Sequence, residues 1–160
     1  DGRVLPKIPA YGLLPYGVLT MQSLRIEKGY PLYGPDITLL HTPYHLGLAR
    51  FIKFEKRDFI GREALAEIKA ASLTRKLCSF TIDGFAPLHG GETILHGGRV
   101  VGSTTSVGYG HTLSKTIAFG YLPMEIAGQK DFVIEAFGKA YKAQRGPRCL
   151  YDAKMERLKA

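Results

Sequence analysis

The chain has 160 residues, 45% hydrophobic and 22% charged, which is the composition of a globular protein with enough apolar side chains for a core. No apolar run approaches about 18 residues, so the sequence predicts no membrane span. The net charge of +8 is compatible with binding to a nucleic acid, with binding to an anionic small ligand, or with a basic surface that is only solvated. The sequence has neither zinc-finger spacing nor an RNA-binding strand pair or glycine clamp, so we predict no nucleic-acid partner.

The two cysteines, Cys78 and Cys149, lie in apolar, strand-like surroundings. Two cysteines are too few for the disulfide framework of a small secreted domain, and the chain shows no signal peptide. We therefore expect buried thiols in a reducing compartment, the cytoplasm or, in a eukaryote, the mitochondrial matrix.

The first part of the chain predicts two helices. Residues 14–29 have apolar side chains at helical spacing, Pro15 suits a first helical turn, and a lysine followed by a glycine gives a cationic end and a stop. Residues 58–72 predict the second helix, with Asp58 as its N-cap.

The segment between these helices carries two further signals. Residues 30–37 contain two prolines and a glycine, which exclude a regular element and predict a turn. Residues 47–54, GLARFIKF, alternate apolar and polar side chains and predict a strand.

After Lys76 the sequence is almost wholly strand-like, with glycine-rich turns. The predicted strands cover residues 77–82, 92–95, 98–107, 116–122, 131–136 and 139–145. Short antiparallel strands at this spacing predict a small, jelly-roll-like β-barrel. The predicted fold class is therefore α+β, with an α+β segment at residues 1–73 and a barrel at residues 74–160.

One stretch, GYGHTLSKT at residues 108–116, ends in Lys-Thr as a phosphate-binding loop does. In such a loop two glycines must precede the lysine at fixed spacing, and those positions hold Tyr109 and Ser114. Residues 116–122 also predict a strand where the loop needs a helix N-terminus. We therefore predict a β-hairpin with its tip at residues 108–112.

No metal site or serine-type catalytic site emerges from the motifs. His41 and His45 have a metal-like spacing, but Pro43 between them argues against the helix that would align them. Ser106 and His111 lack the strand-to-helix elbow of a serine nucleophile.

Two carboxylates, Glu27 and Asp36, could act as acid or base. The structural alternatives are a local ion pair for Glu27 near a helix end and a turn cap for Asp36. The sequence favours these alternatives.

Longer stretches resemble the glycine-cleavage T-protein (aminomethyltransferase) superfamily. SLRIEKGYPLYGPDI, residues 23–37, and TPYHLGLARFIKFEKRDFIGREAL, residues 42–65, resemble the end of its folate-binding domain. GGRVVGSTTSVGYGHTLSKTIAFGYLP, residues 97–123, resembles the central hairpin of its C-terminal barrel. The segments follow the family's order and spacing over nearly the whole chain.

Within that superfamily, details resemble the flavin-dependent sarcosine and dimethylglycine dehydrogenases. T-proteins usually carry S-P-T-L at the hairpin tip and E-A-G after L-R-L. Here the tip is GYGHT, residues 108–112, and RIE, residues 25–27, is followed by Lys-Gly, as in the dehydrogenases.

This resemblance implies a ring of three domains around folate, closed on one side by the barrel. It implies FAD-linked oxidative N-demethylation of a small methylated amine, with the one-carbon unit passed to tetrahydrofolate. The flavin domain, and the early folate domain with the family's catalytic aspartate and folate-binding glutamate, have no counterpart here. We therefore expect a C-terminal fragment that is inactive alone, and no catalytic residue is assigned.

Two positions depart from the T-protein pattern. Met21 stands where T-proteins place a folate-contacting arginine, and a thioether cannot replace a guanidinium. Arg50 stands where relatives carry an aromatic residue, and His45-Leu46 replaces the preceding Glu-Ala. Since an arginine can stack on a ring, Arg50 is expected to border the folate cavity. Met21 and Arg50 are thus the predicted folate-binding positions.

Two other functions remain open from the sequence. One is a stand-alone aminomethyltransferase of the glycine cleavage system, and the other is a non-catalytic regulatory or interaction module on the same fold. A flavin fingerprint upstream would favour the dehydrogenase over both. The oligomeric state is not indicated.

Overall fold

The computed structural model describes Gly12 and residues 15–159. The helices in this part are α1 at Val18–Glu27, α2 at Arg62–Ala70 and the short α3 at Glu156–Lys159, with a 3-10 turn at Ala49–Phe51. The strands are β1 at Arg75–Asp83, β2 at Thr93–His96, β3 at Arg99–Gly110, β4 at Lys115–Pro123, β5 at Asp131–Ala136 and β6 at Lys139–Gly146. None of the described helices is long and apolar enough to cross a membrane.

The six described strands close into an antiparallel barrel in the order β1-β4-β3-β2-β5-β6, and β1 also pairs with β6. β1 and β4 pair along their whole length, from Arg75 opposite Pro123 to Asp83 opposite Lys115. The larger side chains of the barrel core are Phe80, Ile82, Ile94, Leu122, Phe132 and Ile134. The α+β class and the antiparallel barrel predicted from the sequence are confirmed.

A second group of buried side chains joins the barrel to the first part of the chain. It comprises Ile26, Leu46, Leu77, Ile117 and Phe119. Because side chains alternate along a strand, Ile117 and Phe119 face away from Ala118 and Leu122, which belong to the barrel core. β4 is therefore buried on both faces, and α1 covers its outer face together with that of β3.

The glycines of the GYG tripeptide allow α1 to approach β3. A Cβ at Gly108 would lie 3.1 Å from Ile26 Cγ2. A Cβ at Gly110 would lie 2.8 Å from Ile117 Cδ1 and 2.9 Å from Glu27 Oε1. The stretch that superficially resembles a phosphate loop thus serves helix packing, and the strand predicted after it is confirmed.

The strand predicted at residues 47–54 is not formed. Gly47 has φ +62°, the Leu48 N–H donates to Pro43 O at 2.8 Å, and the Phe51 N–H donates to Leu48 O at 3.0 Å. A closed barrel has no free edge with which this segment could pair, so its backbone groups are satisfied by local turns.

Both predicted helices begin later than expected, α1 at residue 18 and α2 at residue 62. The N-cap of α2 is Gly61, with φ +86°, rather than Asp58. The Asp58 carboxylate instead accepts the N–H of Phe59 at 3.0 Å, which leaves the first turn of α2 without a side-chain cap.

The cysteines are free thiols in different surroundings. Cys78 is buried in β1, and burial raises the pKa of its thiol. Cys149 is half-buried and lies after β6, outside any strand, so the predicted strand-like setting is wrong for this residue.

Candidate functional site

Arg25 fixes α1 against the turn at residues 30–37 and against β3. Its guanidinium donates to Asp36 Oδ2 at 2.8 Å and to Ser106 Oγ at 2.7 Å. Asp36 is fully buried and also accepts the Leu32 N–H at 2.8 Å. The predicted turn cap is confirmed for Asp36. Ser106 serves the same network, so its hydroxyl is an acceptor for Arg25 rather than a nucleophile.

Glu27 holds the β3–β4 hairpin. Its buried carboxylate accepts the Thr112 N–H at 2.8 Å and the Thr112 hydroxyl at 2.9 Å. Among the described residues no cation pairs with Glu27, so the local ion pair predicted for it is not found there. β3 continues through Gly110, so the turn spans residues 111–114; it begins three residues later and ends two residues later than the predicted tip at residues 108–112.

The segment after β6 returns to the end of α1. The N–H groups of Leu150 and Tyr151 donate to Glu27 O at 3.0 and 3.1 Å. Lys28 Nζ lies 2.8 Å from Asp152 Oδ2, and this hydrogen bond holds the pKa of Asp152 below its usual value. The C-terminal carbonyl end of α1 is thus satisfied by residues from the far end of the chain.

Gly29 makes this return possible. It has φ +78°, and a Cβ at this position would lie 2.5 Å from Arg148 O. Arg148 in turn donates from Nη1 to Leu46 O, which ties the returning segment to the loop before the 3-10 turn.

Met21 lies on the solvent side of α1 and lines a cleft of about 480 Å³. The walls of this cleft, the Met21 cleft, are mainly aromatic and aliphatic, and its rim is charged. Its other residues include Tyr16, Leu24, Lys28, Tyr30, Tyr151, Asp152 and Arg157. The Arg157 guanidinium lies 5.8 Å from the centre of the Tyr151 ring.

Arg50 lines a neighbouring cleft of about 260 Å³, the Arg50 cleft. Its guanidinium lies over the ring of Phe51, 4.7 Å from the ring centre. Lys28 and Tyr30 line both this cleft and the Met21 cleft. The structure therefore brings Met21 and Arg50, which are 29 positions apart, to one continuous surface at the end of α1.

His41 and His45 are not arranged as metal ligands. Each Nδ1 accepts the backbone N–H of the threonine three residues earlier, Thr38 or Thr42, at 3.1 Å. The His41 ring stacks on Tyr121 with the ring centres 4.3 Å apart. Across the described residues, no group of three or more histidine, cysteine or acidic side chains could hold a metal ion.

The sequence did not reveal the residues that complete the two clefts from the C-terminal segment, chiefly Arg148, Tyr151 and Arg157. The available signal was the basic composition of the last 22 residues. Local pattern gave no reason to place that segment against α1.

Two family models match the chain. Residues 3–56 match the GCVT N-terminal domain, and residues 75–152 match the glycine cleavage T-protein C-terminal barrel domain. The two matches follow the order of the segments described above.

Individual relatives give the same picture. The chain is 38% identical over 137 residues to human mitochondrial dimethylglycine dehydrogenase, 34% over 158 residues to human mitochondrial sarcosine dehydrogenase, and 40% over 138 residues to the aminomethyltransferase of Symbiobacterium thermophilum. These alignments include 82%, 93% and 83% of the chain, which spans only 16%, 17% and 36% of the respective relatives.

A solved structure has the same fold. The glycine cleavage system aminomethyltransferase T from Bartonella henselae matches with a TM-score of 0.82 at 24% sequence identity. The match covers 94% of this chain and 44% of that one.

Proposed function

Because the chain belongs to the glycine cleavage T-protein-like superfamily, we propose that it is the C-terminal, folate-binding region of a sarcosine or dimethylglycine dehydrogenase. Such an enzyme demethylates a small amine oxidatively at FAD and passes the one-carbon unit to tetrahydrofolate. The observation that carries the proposal is the similarity to both dehydrogenases over 82% and 93% of the chain.

The end of α1 supports the dehydrogenase assignment. Lys28 stands in the place of the alanine of the T-protein E-A-G run, and its ammonium binds Asp152 in the returning segment. The hairpin sequence GYGHT, residues 108–112, also departs from the S-P-T-L of the T-proteins, and its glycines accommodate α1.

The surface formed by the Met21 and Arg50 clefts fits parts of a folate. Aromatic and aliphatic walls suit a planar ring, and cations suit the carboxylates of its glutamate tail. Met21 gives the ring an apolar contact in place of the hydrogen bonds of an arginine. Tetrahydrofolate, when bound, accepts the one-carbon unit, and the residues of this chain bind and orient it.

FAD does not fit the described residues. Dinucleotide binding uses a glycine-rich turn from a strand into a helix, whose N-terminus faces the phosphates. The described strands are joined to antiparallel neighbours instead. We therefore assign FAD to a part of the enzyme outside this chain and derive no contact with it.

We divide the chain between residues 73 and 74. This boundary is supported by the two family matches, which end at residue 56 and resume at residue 75, with α2 between them. The human relatives are named as mitochondrial, which supports a mitochondrial location if the source is eukaryotic.

The test uses the full-length enzyme that contains this region. Sarcosine or dimethylglycine should reduce its flavin, and with tetrahydrofolate present the product should be 5,10-methylenetetrahydrofolate rather than free formaldehyde. Arg50→Ala should weaken tetrahydrofolate binding by about 1–2 kcal/mol, the scale of one charge-assisted contact, and leave flavin reduction unchanged. Equal tetrahydrofolate affinity of variant and parent in calorimetry would remove Arg50 from the site.

A stand-alone aminomethyltransferase is the second candidate, because the Symbiobacterium enzyme is 40% identical over 138 residues. A preparation that carries no flavin, and that forms methylenetetrahydrofolate from an aminomethylated carrier, would favour this candidate and exclude the dehydrogenase.

A further inference from the structure

Residues 47–74, the α2 segment, have no hydrophobic core of their own. The structure describes every residue from 47 to 76, and none of them is buried. Leu65 and Ile68, three positions apart in α2, are only half-buried. A helix of nine residues is marginal by itself in water, because most helical stability in proteins comes from packing. The α2 segment therefore needs a surface to pack against.

Polar contacts hold α2 near the rest of the chain without covering it. α2 makes no extensive contact with another described helix or strand. The Tyr44 hydroxyl donates to Leu65 O at 3.1 Å, and Arg62 Nη2 donates to Phe54 O at 3.1 Å. Lys69 Nζ lies 5.2 Å from the centre of the Phe54 ring. These contacts orient the α2 segment but leave its apolar side chains partly uncovered.

Exposed apolar side chains are concentrated in the same part of the molecule. Eleven large ones lie between residues 16 and 60 of the described chain, whereas four lie between residues 85 and 137. Within the α2 segment they are Phe51, which is 65% exposed, and Ile60, which is fully exposed. Single exposed apolar side chains are ordinary, but their concentration on one part of a molecule marks an interaction surface.

Residues 51–54 keep the pattern of a strand without a partner strand. Phe51 and Lys53 are exposed, and Ile52 and Phe54 are half-buried. Within the described residues, no backbone carbonyl accepts the N–H of Lys53 or Phe54. An edge strand from elsewhere would satisfy these groups, as in recognition by strand addition.

A cleft of about 630 Å³ lies between this stretch and α2. Its apolar walls are formed by Phe51, Ile52, Phe59 and Leu65. Side chains of a strand added beside residues 51–54 would enter this cleft and cover α2, because alternate side chains of a strand point to the same face. One occupant can therefore satisfy both the unpaired backbone and the uncovered helix.

The matches with known proteins indicate where that occupant comes from. Residues 47–56 belong to the match with the GCVT N-terminal domain, whereas the barrel belongs to a separate family model. The solved aminomethyltransferase is matched over only 44% of its length, although 94% of this chain is covered. More than half of such a protein therefore lies outside this chain, and the α2 segment adjoins the part of the domain that this chain lacks.

We propose that the α2 segment is a docking surface for the preceding part of its own polypeptide. Residues 51–54 add as a strand to a sheet edge of that part, and α2 gains its stability from the same contact. The proposal rests on the proposed function only in taking this chain as the C-terminal region of a longer enzyme. It does not depend on which of the two candidate enzymes that is.

Hydrogen exchange measured by mass spectrometry on the 160-residue chain and on the full-length enzyme tests the docking. In the chain alone, we expect the amides of residues 53–55 and 62–70 to exchange nearly as fast as in an unfolded peptide, while β1 and β4 stay protected. In the full-length enzyme the same amides should exchange at least about 100-fold more slowly, because docking closes the segment. Equally fast exchange in both proteins, or protection of α2 already in the chain alone, would overturn the proposal.

Ile60 is the residue to change, because its side chain is fully exposed and contributes no packing to the chain alone. In the full-length enzyme, Ile60→Ser should accelerate exchange over residues 62–70 by about tenfold or more, as expected for an apolar side chain removed from a packed interface. In the 160-residue chain it should change nothing.

The matched control is Val100→Ser, which removes an exposed β-branched side chain from β3. It should alter exchange over residues 62–70 by less than about twofold in either protein. Equal effects of the two substitutions in the full-length enzyme, or no effect of Ile60→Ser there, contradict docking at this surface.

Two further outcomes separate the docking from other occupants and from the proposed function. Sedimentation should show the 160-residue chain as a monomer, and a dimer that Ile60→Ser abolishes would assign the surface to a second copy instead. A full-length protein that protects residues 62–70 but carries no flavin keeps the docking and removes the dehydrogenase. A full-length enzyme whose flavin is reduced by sarcosine or dimethylglycine, but whose α2 segment stays unprotected, keeps the proposed function and removes the docking.

Discussion

At the scale of single residues, two histidines repeat one arrangement. In Thr38-Leu39-Leu40-His41 and Thr42-Pro43-Tyr44-His45, the histidine Nδ1 accepts the N–H of the threonine. A backbone N–H only donates, so Nδ1 must be unprotonated in both rings. Burial and the nearby Arg75 charge lower the pKa of both histidines. Each ring is thus held neutral by its contacts.

This arrangement predicts a loss of stability in acid. Near pH 6.5 the unfolded chain takes up protons on His41 and His45, whereas the folded chain resists them, so the free energy of unfolding falls as the pH drops below about 6.5. His45→Asn keeps an acceptor for the Thr42 N–H but does not titrate. We expect this variant to lose less stability than the parent between pH 7.5 and 5.5 in urea unfolding followed by circular dichroism.

The control is His111→Asn, which removes an exposed histidine. This variant should keep the pH dependence of the parent. A parent whose unfolding free energy is flat over the same interval, or a His45→Asn variant as sensitive as the parent, would contradict the account.

At the scale of elements, Gly29 decides how closely the segment after β6 approaches α1. Its φ of +78° is unfavourable for other residues, and the Arg148 carbonyl occupies the space of a Cβ. Gly138, in the β5–β6 turn, has a similar φ of +70° but nothing within 4 Å of the same position. A substitution at either glycine therefore carries the cost of backbone strain, whereas only a substitution at Gly29 also carries the cost of a steric clash.

Gly29→Ala should destabilise the chain more than Gly138→Ala. The backbone term costs about 1–2 kcal/mol at either position, and overpacking adds about 1–3 kcal/mol at Gly29 alone. Hydrogen exchange of the Leu150 and Tyr151 amides should accelerate only in the Gly29 variant, because these groups donate to Glu27 O. Equal losses of stability in the two variants would show that the close approach contributes nothing.

The elements also show where sequence reasoning succeeds. The barrel strands could be predicted because alternation and glycine turns are local signals, and the predicted ends lie within a few residues of those observed. Residues 47–54 alternate equally well, yet a strand also needs a partner edge, which a closed barrel does not offer. In the candidate site, Met21 and Arg50 could be predicted from the resemblance to the T-protein superfamily. Arg148 and Tyr151 could not, because their positions depend on tertiary contacts that no local pattern encodes.

At the scale of the whole molecule, the buried side chains form two separate cores. The barrel core lies among the strands, and the second core joins α1 and Leu46 to the outer face of β4. Phe119 is fully buried in the second core. The attachment of the first part of the chain can therefore be weakened without opening the barrel.

Phe119→Ala tests this division. We expect a loss of about 3–5 kcal/mol in the free energy of unfolding, the usual cost of deleting a buried phenylalanine ring. Hydrogen exchange measured by mass spectrometry should accelerate over residues 18–48 well before peptides of β5 and β6. Phe132→Ala, in the barrel core, is the matched control and should accelerate both regions together. Uniform acceleration in the Phe119 variant would show that the chain has a single cooperative unit.

The contact between Lys28 and Asp152 spans 124 positions of sequence, and this has a consequence for synthesis on the ribosome. Lys28 directly follows α1, which is made before the six described strands, but the residues that complete the surface around Lys28 are made after all of them. Local hairpins such as β3–β4 and β5–β6 can pair as they appear, because short loops close at low entropic cost. Ile26 can therefore be buried only once β4 has been made, and until then it is an exposed apolar side chain of the nascent protein, open to chaperones. The contact between Lys28 and Asp152 forms later still, after β6.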